Sequence, residues 1–398
     1  MKKKVLTALT VILLFSISLH SQTNNANQDY INAVKSTSPA EQARLLKAYL
    51  AKYESKGTQY ENYVHAYLCT RNYPGKTARE TIKYGEKALA LGGLDDPLKF
   101  KVLLNVSNFY SQLGQNLEKA KSYASQALKI AKANKNKNPS SQASAQWRKL
   151  EGACYFALGQ AQDKSKDLRS AVSSYIQSYK ILKNPQILTS LKKVGTSLYR
   201  SGSYTQAEKA YEFLISSSKD FSSLYLYARI LHRSKKKEEA LKYYKQAYAK
   251  KKSGEIAFNV GIILADKAKA DPTFSKEALT FLLDASFLSP PNSKKAMELA
   301  EYLFFTSNKD LRFNENVKEI QKKSKNLEEL TKTFNKKFGE KDEEDLSDAE
   351  LKEMKNILAQ IDAGQKALEK LEDAQKAAVD KFTRLIEETK KKLGIKTD

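Results

Sequence analysis

The residues of this chain that are best suited to chemistry are three histidines and two cysteines. His65 and Cys69 lie four residues apart, so on a helix they share one face, which is a spacing that metal ligands use. A structural zinc site needs four ligands, and the sequence offers no second pair nearby. Cys69 and Cys154 lie within apolar helical patterns, and we interpret both as buried thiols that pack as small apolar side chains. We therefore predict no metal site and no cofactor.

The sequence also lacks the motifs that carry catalysis in common enzyme classes. It contains no H-E-x-x-H zinc motif, no G-x-S-x-G nucleophile elbow and no phosphate-binding loop. Carboxylate pairs such as Glu238 and Glu239 have the spacing of a solvated helix face. The sequence therefore predicts a protein that is not an enzyme and whose function depends on binding.

Residues 1–21 have the three parts of a secretory signal peptide. Three lysines, Lys2 to Lys4, precede an apolar and hydroxyl-bearing run over residues 5–19, and a short polar segment follows. The run is shorter than the roughly 20 residues that span a bilayer, so cleavage near Gln22 is favoured over a membrane anchor. The first cysteine is Cys69, which argues against a lipoprotein anchor. We predict a periplasmic or secreted protein whose mature chain has no transmembrane span.

Composition favours an all-α fold with a basic surface. The 398 residues include 69 Lys and Arg against 45 Asp and Glu, 41% are hydrophobic, and only 15 are Gly and 8 Pro. This excludes wholesale disorder and disfavours turn-rich sandwiches and barrels. The formal charge of +24 would suggest nucleic acid as a partner, but export and the predominance of lysine over arginine argue against it. Acidic proteins, anionic lipid headgroups or anionic envelope polymers are the expected partners.

A repeat with a period near 33 residues organises the middle of the chain. Gly195, Ala228 and Gly261 follow one another at intervals of 33, each within an L/A-x2-V/Y-G/A-x2-L pattern. A second set of small residues, Ala207, Ala240 and Ala278, follows at similar places, each with a large apolar residue four positions later. Small residues at regular places allow two helices to cross closely, and the large residues fill the remaining holes.

This pattern resembles the tetratricopeptide repeat, a unit of two antiparallel helices of about 34 residues. The chain departs from it in lacking the tryptophan and in carrying about five extra residues near 269–274. The resemblance implies an α-solenoid of stacked antiparallel helix pairs, and the spacing of apolar residues after the array predicts long C-terminal helices. We predict a leader with an amphipathic helix over 22–60 and a repeat array with a closing helix over 61–310. Within the array, residues 163–169 are expected to form an insertion between two helices.

Residues 311–398 have a different character, with 20 basic and 20 acidic residues. Ser347 and Glu350 form a capping-box pattern, and apolar residues then follow at spacings of three and four, as in a heptad seam. The segment is predicted to be a helical hairpin or a coiled coil, and the sequence leaves both open. The seam over 347–393 also makes a homodimer possible.

The resemblance further implies a ligand groove, because the first helix of each tetratricopeptide unit lines the concave surface. Placed on this chain, that face carries cations beside aromatic side chains, which suits acidic or carboxylate-ended peptides. The candidate groove residues are Lys192, Lys193, Thr196, Tyr199, Arg200, Tyr225, Arg229, His232, Arg233, Phe258 and Asn259.

Two functions follow from these features. The first is a non-enzymatic protein–protein interaction scaffold of the bacterial cell envelope that binds peptides or helices in the groove. The alternative is a basic structural protein whose lysine-rich surface binds anionic envelope polymers or lipid headgroups. In the alternative the groove cations are ordinary solvated residues. If the groove is used, His232 would make binding sensitive to mildly acidic pH.

Overall fold

The computed structural model describes residues 24–137 and 139–395, which are helices and turns without a strand. The predicted signal peptide over residues 1–21 lies outside the described residues. No helix among those described is both long and apolar enough to cross a bilayer. The chain divides into two compact units, Met1–Lys219 and Asp220–Asp398.

The first unit is a succession of helices in which each packs on the next in the chain. The helices are α1 (24–35), α2 (Pro39–Tyr53), α3 (Glu61–Thr70), α4 (Ala78–Leu91), α5 (Asp96–Leu113), α6 (Leu117–Lys137), α7 (Gln142–Lys164), α8 (Leu168–Leu182), α9 (Pro185–Arg200) and α10 (Tyr204–Ser217).

Side-chain caps decide where several of these helices begin. The amphipathic helix expected in the leader is α2, and the Ser38 side chain accepts the backbone N–H of Glu41 at its start. The prediction of an insertion between helices over residues 163–169 is wrong. Asp167 caps α8 directly by accepting the N–H of Ser170, and Lys166 reverses the chain at a positive φ of 67°. Only three residues therefore separate α7 from α8.

Glycines allow the paired helices of the first unit to cross closely. A Cβ atom at Gly195 would lie 2.9 Å from the Tyr211 ring and 3.1 Å from the Cβ atom of Ala210. At Gly159 a Cβ atom would meet the ring of Tyr175 at 2.8 Å. A side chain larger than hydrogen at either glycine would therefore separate α7 from α8 or α9 from α10.

The second unit begins with two further helix pairs and a closing helix. Its helices are α11 (Phe221–Arg233), α12 (Lys237–Lys250), α13 (Gly254–Ala268), α14 (Ser275–Leu288), α15 (Ser293–Ser307), α16 (Phe313–Phe338) and α17 (Asp348–Leu393). Gly261 lies against Leu282 across the α13–α14 crossing, where a Cβ atom would be 2.8 Å from the leucine. The extra residues expected near 269–274 are present and include a short 3-10 turn, Pro272–Phe274. The predicted all-α solenoid class of stacked helix pairs is confirmed.

The C-terminal segment forms a helical hairpin. Helices α16 and α17 pack together, and Phe338, Leu346, Met354 and Ile357 form a small core near the turn that joins them. The capping box predicted at Ser347 is present, with reciprocal hydrogen bonds to Glu350. The far end of α17 then packs on α14 and α15. Its heptad face is therefore used within the chain, and the homodimer through 347–393 stays a prediction.

Candidate functional site

The predicted groove residues of the first unit all lie on α9. Thr196 is half-buried, and its hydroxyl is 2.8 Å from the Tyr211 hydroxyl and donates to the Lys192 carbonyl at 2.8 Å. The Tyr199 ring packs on Tyr204 at 5.8 Å between centroids. Thr196 and Tyr199 therefore help to hold α9 on α10. Lys193 and Arg200 are exposed, and both can contact a ligand.

On α11 of the second unit, Tyr225 and Arg229 belong to one small cluster. The Arg229 guanidinium lies 5.5 Å from the centre of the Tyr225 ring and 3.9 Å from a Glu255 carboxylate oxygen. Burial raises the pKa of Tyr225, and the nearby Glu255 adds to this effect. The cluster therefore links α11 to the start of α13, which reduces the positive charge that Arg229 presents to a ligand.

The two predicted groove residues of α13 point to different environments. Phe258 is half-buried against the apolar cluster that contains Ala257, Ala285 and Ala296, so it contributes to the core. The Asn259 side chain donates to the Glu255 carbonyl of its own helix at 2.8 Å. Neither residue lines the large cavity of this unit.

His232 does line that cavity, which has a volume of about 610 Å³. The cavity lies between the C-terminal parts of α11, α13 and α15. The Tyr244 hydroxyl is 3.5 Å from His232 Nδ1, and the two rings meet edge to face with centroids 6.0 Å apart. Burial lowers the pKa of His232, and the neighbouring Lys237 and Arg233 lower it further. His232 is therefore a neutral, aromatic part of the wall at neutral pH.

Most of the cavity wall is apolar. Helix α13 contributes Ile262 and Ala265, and α15 contributes Leu299, Tyr302 and Leu303. Tyr302 is 68% exposed, more than any other large hydrophobic residue in the described part of the chain. An apolar cavity with an exposed aromatic ring at its edge suits a large apolar side chain of a ligand.

The rim of the cavity is positively charged. Lys237 and Lys269 share the carboxylate of Asp266, with N–O distances of 2.9 Å and 3.3 Å. The hydrogen bond from Lys237 lowers the pKa of Asp266 most, and the hydrogen bond from Lys269 has the next largest effect in the same direction. Lys309 also lines the cavity, and among the described residues it has no ion pair. The rim thus carries three ammonium groups and one carboxylate, and the excess positive charge can receive an anionic group.

The sequence predicts only a closing helix at the end of the array and does not indicate that α15 forms a wall of the cavity. Ala296, Ala300 and Leu303 form one buried face of this helix. Leu299 and Tyr302 lie on a second apolar face of the same helix. The presence of apolar residues on two faces of a terminal helix is the signal that could have indicated a ligand surface there.

No protein-family model matches the sequence, and no curated protein matches it. Solved structures do match. A tetratricopeptide repeat protein from Parabacteroides merdae is 14% identical, with 71% of this chain and 99% of that chain covered and a TM-score of 0.32. The apo form of RapI is 14% identical, with 78% and 99% covered and a TM-score of 0.32. The TPR2AB domain of yeast Sti1 is 17% identical, with 62% and 98% covered and a TM-score of 0.26.

These identities and TM-scores are too low to transfer a function or a partner to this chain. The local geometry is more specific, because the recurring glycines lie at the helix crossings, as the pattern predicts. The expected resemblance is confirmed: in fold, the chain is built of tetratricopeptide-like helix pairs.

Proposed function

We propose that this protein is a non-enzymatic binding scaffold of the bacterial cell envelope, and that the cavity between α11, α13 and α15 holds a peptide or helix of a partner protein. The observation that carries the proposal is the apolar cavity of about 610 Å³ with an exposed tyrosine and a basic rim. The predicted signal peptide supports the location outside the cytoplasm.

The chemistry of the cavity indicates which peptides would bind. A large apolar or aromatic side chain would fill the space beside Leu299 and Tyr302, which removes apolar surface from water. An acidic side chain or a C-terminal carboxylate next to it would reach Lys269 or Lys309 and form charge-assisted hydrogen bonds. Recognition would therefore combine one apolar anchor with one anion.

A peptide selection tests this proposal directly. We expect a library of 12-residue peptides selected on the full chain to be enriched in a large apolar residue flanked by Asp, Glu or a free carboxylate. Tyr302→Ala should weaken a selected peptide by at least about tenfold, since exposed aromatic anchors contribute about 2 kcal/mol to binding. Leu358→Ala, at an exposed apolar residue of α17, is the matched control and should bind normally.

The same assay separates this function from binding of anionic polymers. Dextran sulfate serves as the probe for the alternative, because it offers charge without an apolar anchor. If Tyr302→Ala leaves all peptide binding unchanged, while dextran sulfate binds tightly only at low salt, the protein is a polyanion binder and the scaffold proposal is wrong.

His232 gives a second prediction for the selected peptide. Because its pKa is lowered, His232 stays neutral above about pH 6.5, and affinity should be constant there. Below that pH a proton on His232 adds a cation beside the acidic ligand, so affinity should rise by a few fold. Isothermal titration calorimetry between pH 5 and pH 8 measures this, and His232→Gln should remove the rise. A rise that persists in His232→Gln would assign the effect to another group.

A further inference from the structure

A buried group of ionisable side chains lies at the junction of α2 and α3, far along the sequence from the cavity. Glu61 opens α3 and is 4% exposed, and His65, one turn later, is 1% exposed. Glu54, the residue that follows α2, lies beside His65, and its side chain is 46% exposed. Charged groups are rarely buried to this extent unless they are paired.

His65 lies close to both carboxylates but does not form a hydrogen bond with either of them. His65 Nε2 lies 3.5 Å from a Glu54 oxygen and 3.9 Å from Glu61 Oε1. Both nitrogens of His65 and Oε1 of Glu61 are buried, and none of the three has a hydrogen-bond partner among the described residues. The other oxygen of Glu61 accepts the backbone N–H of Ser55 at 3.0 Å, which fixes the chain between the two helices. Leaving such polar atoms unpaired is unfavourable, because each has lost its hydrogen bonds to water without a replacement.

The surroundings of His65 disfavour the charged imidazolium. Burial lowers its pKa, and Lys83 and Lys87 of α4 lower it further, while Glu54 and Glu61 act in the opposite direction. Tyr84, also on α4, packs its ring 5.8 Å from the imidazole. In the closed form the helices pack around His65 as described, and in an open form they separate so that water reaches the imidazole. In mild acid the open form takes up a proton more readily than the closed form.

His65 lies at a place where its protonation can affect how the helices pack. Helices α1 and α2 are joined to α3 by a core in which Ala26, Ala33, Tyr49 and Tyr53 pack against Val64 and Leu68. His65 and Glu61 lie on α3 next to this core, at the turn that connects it to α2. We propose that His65, with Glu54 and Glu61, is a proton-sensitive latch at which α1 and α2 detach from the helix pair α3–α4 in mild acid.

The sign of the effect follows from linkage. For a base whose pKa is lowered in the closed form, stability is complete at high pH and is lost as pH falls below the pKa of the open form, about 6.5. If His65 stays neutral while closed, the opening equilibrium increases by up to about 30-fold between pH 7.5 and pH 5. An envelope protein that meets acid would thus expose the faces of α1–α2 and α3 that pack together at neutral pH.

Hydrogen exchange of the full chain, corrected for the intrinsic pH dependence of exchange, measures this opening. We expect peptides from residues 54–70 to show increased opening at pH 5 in the wild type and constant opening in His65→Gln. His232→Gln is the matched control, because it removes the half-buried histidine of α11, and it should retain the effect. Constant opening in the wild type, or an unchanged pH dependence in His65→Gln, would overturn the proposal.

A second measurement does not depend on the folding of any variant. In an NMR titration of the wild-type histidine side chains, the resonance of His65 should have a midpoint below 6.5. A midpoint at or above 6.5 would mean that the closed form accepts the proton as well as the open form does, and the latch would not exist.

Discussion

Gly254→Ala is expected to destabilise the second unit by about 3 kcal/mol, at the upper end of the cost of overpacking. Gly254 is the first residue of α13, and it is buried against the end of α14. A Cβ atom there would overlap backbone atoms of Leu288 and Ser289 as well as the Ser289 side chain. A flexible side chain can rotate away from an added methyl group, but the backbone at a helix end can move only if the helix shifts.

Urea unfolding of the full chain followed by circular dichroism measures this effect. The neighbouring variant Ser253→Ala is the matched control, because the Ser253 side chain makes no capping hydrogen bond to α13. It should change the unfolding free energy by less than about 0.5 kcal/mol. Equal midpoints for the two variants would show that α13 and α14 can separate slightly at this point, and the close approach at Gly254 would not be required.

The comparison of Gly254 with Gly261 shows how far the sequence predicts the fold. Gly261 belongs to the 33-residue pattern, so its place at a helix crossing could be predicted from the repeat. Gly254 lies outside the pattern, and a glycine is required there because the backbone at the end of α14 approaches the start of α13 closely. Periodicity predicts which helices pair, but it contains no information about the distance between one helix end and its neighbour.

The candidate site was harder to predict for a similar reason. His232 was expected on the ligand surface and lines the cavity, whereas Phe258 was expected there and packs in the core. Both positions fit the first-helix face of a repeat. The extra residues around Pro272 change the wall next to α13, and α15 supplies Leu299 and Tyr302, so the cavity depends on the features that depart from the repeat.

Phe382→Ala is expected to release the C-terminal end of α17. The Phe382 ring lies 5.1 Å from Phe304 and 5.8 Å from Phe305 between centroids, and it is almost completely buried. Removing a buried phenylalanine side chain costs about 3–5 kcal/mol. The remaining attachment includes the ion pair between Lys392 and the buried Asp284 carboxylate at 3.5 Å, and Lys392 is half exposed. An ion pair of this length with a solvated lysine contributes little.

Because α17 is held at two separate places, the loss should be local. Hydrogen exchange at residues 376–393 should increase about 100-fold, which corresponds to roughly 3 kcal/mol. Residues 351–361 should stay protected, since Met354 and Ile357 pack on α16 near the hairpin turn. Val379→Ala, at a residue of the same helix that is 44% exposed, is the control and should change little. If exchange at residues 376–393 of Phe382→Ala equals that of the wild type at high protein concentration and increases only on dilution, the seam is covered by a second copy of the chain. The homodimer predicted from the heptads would then be the better description of α17 in solution.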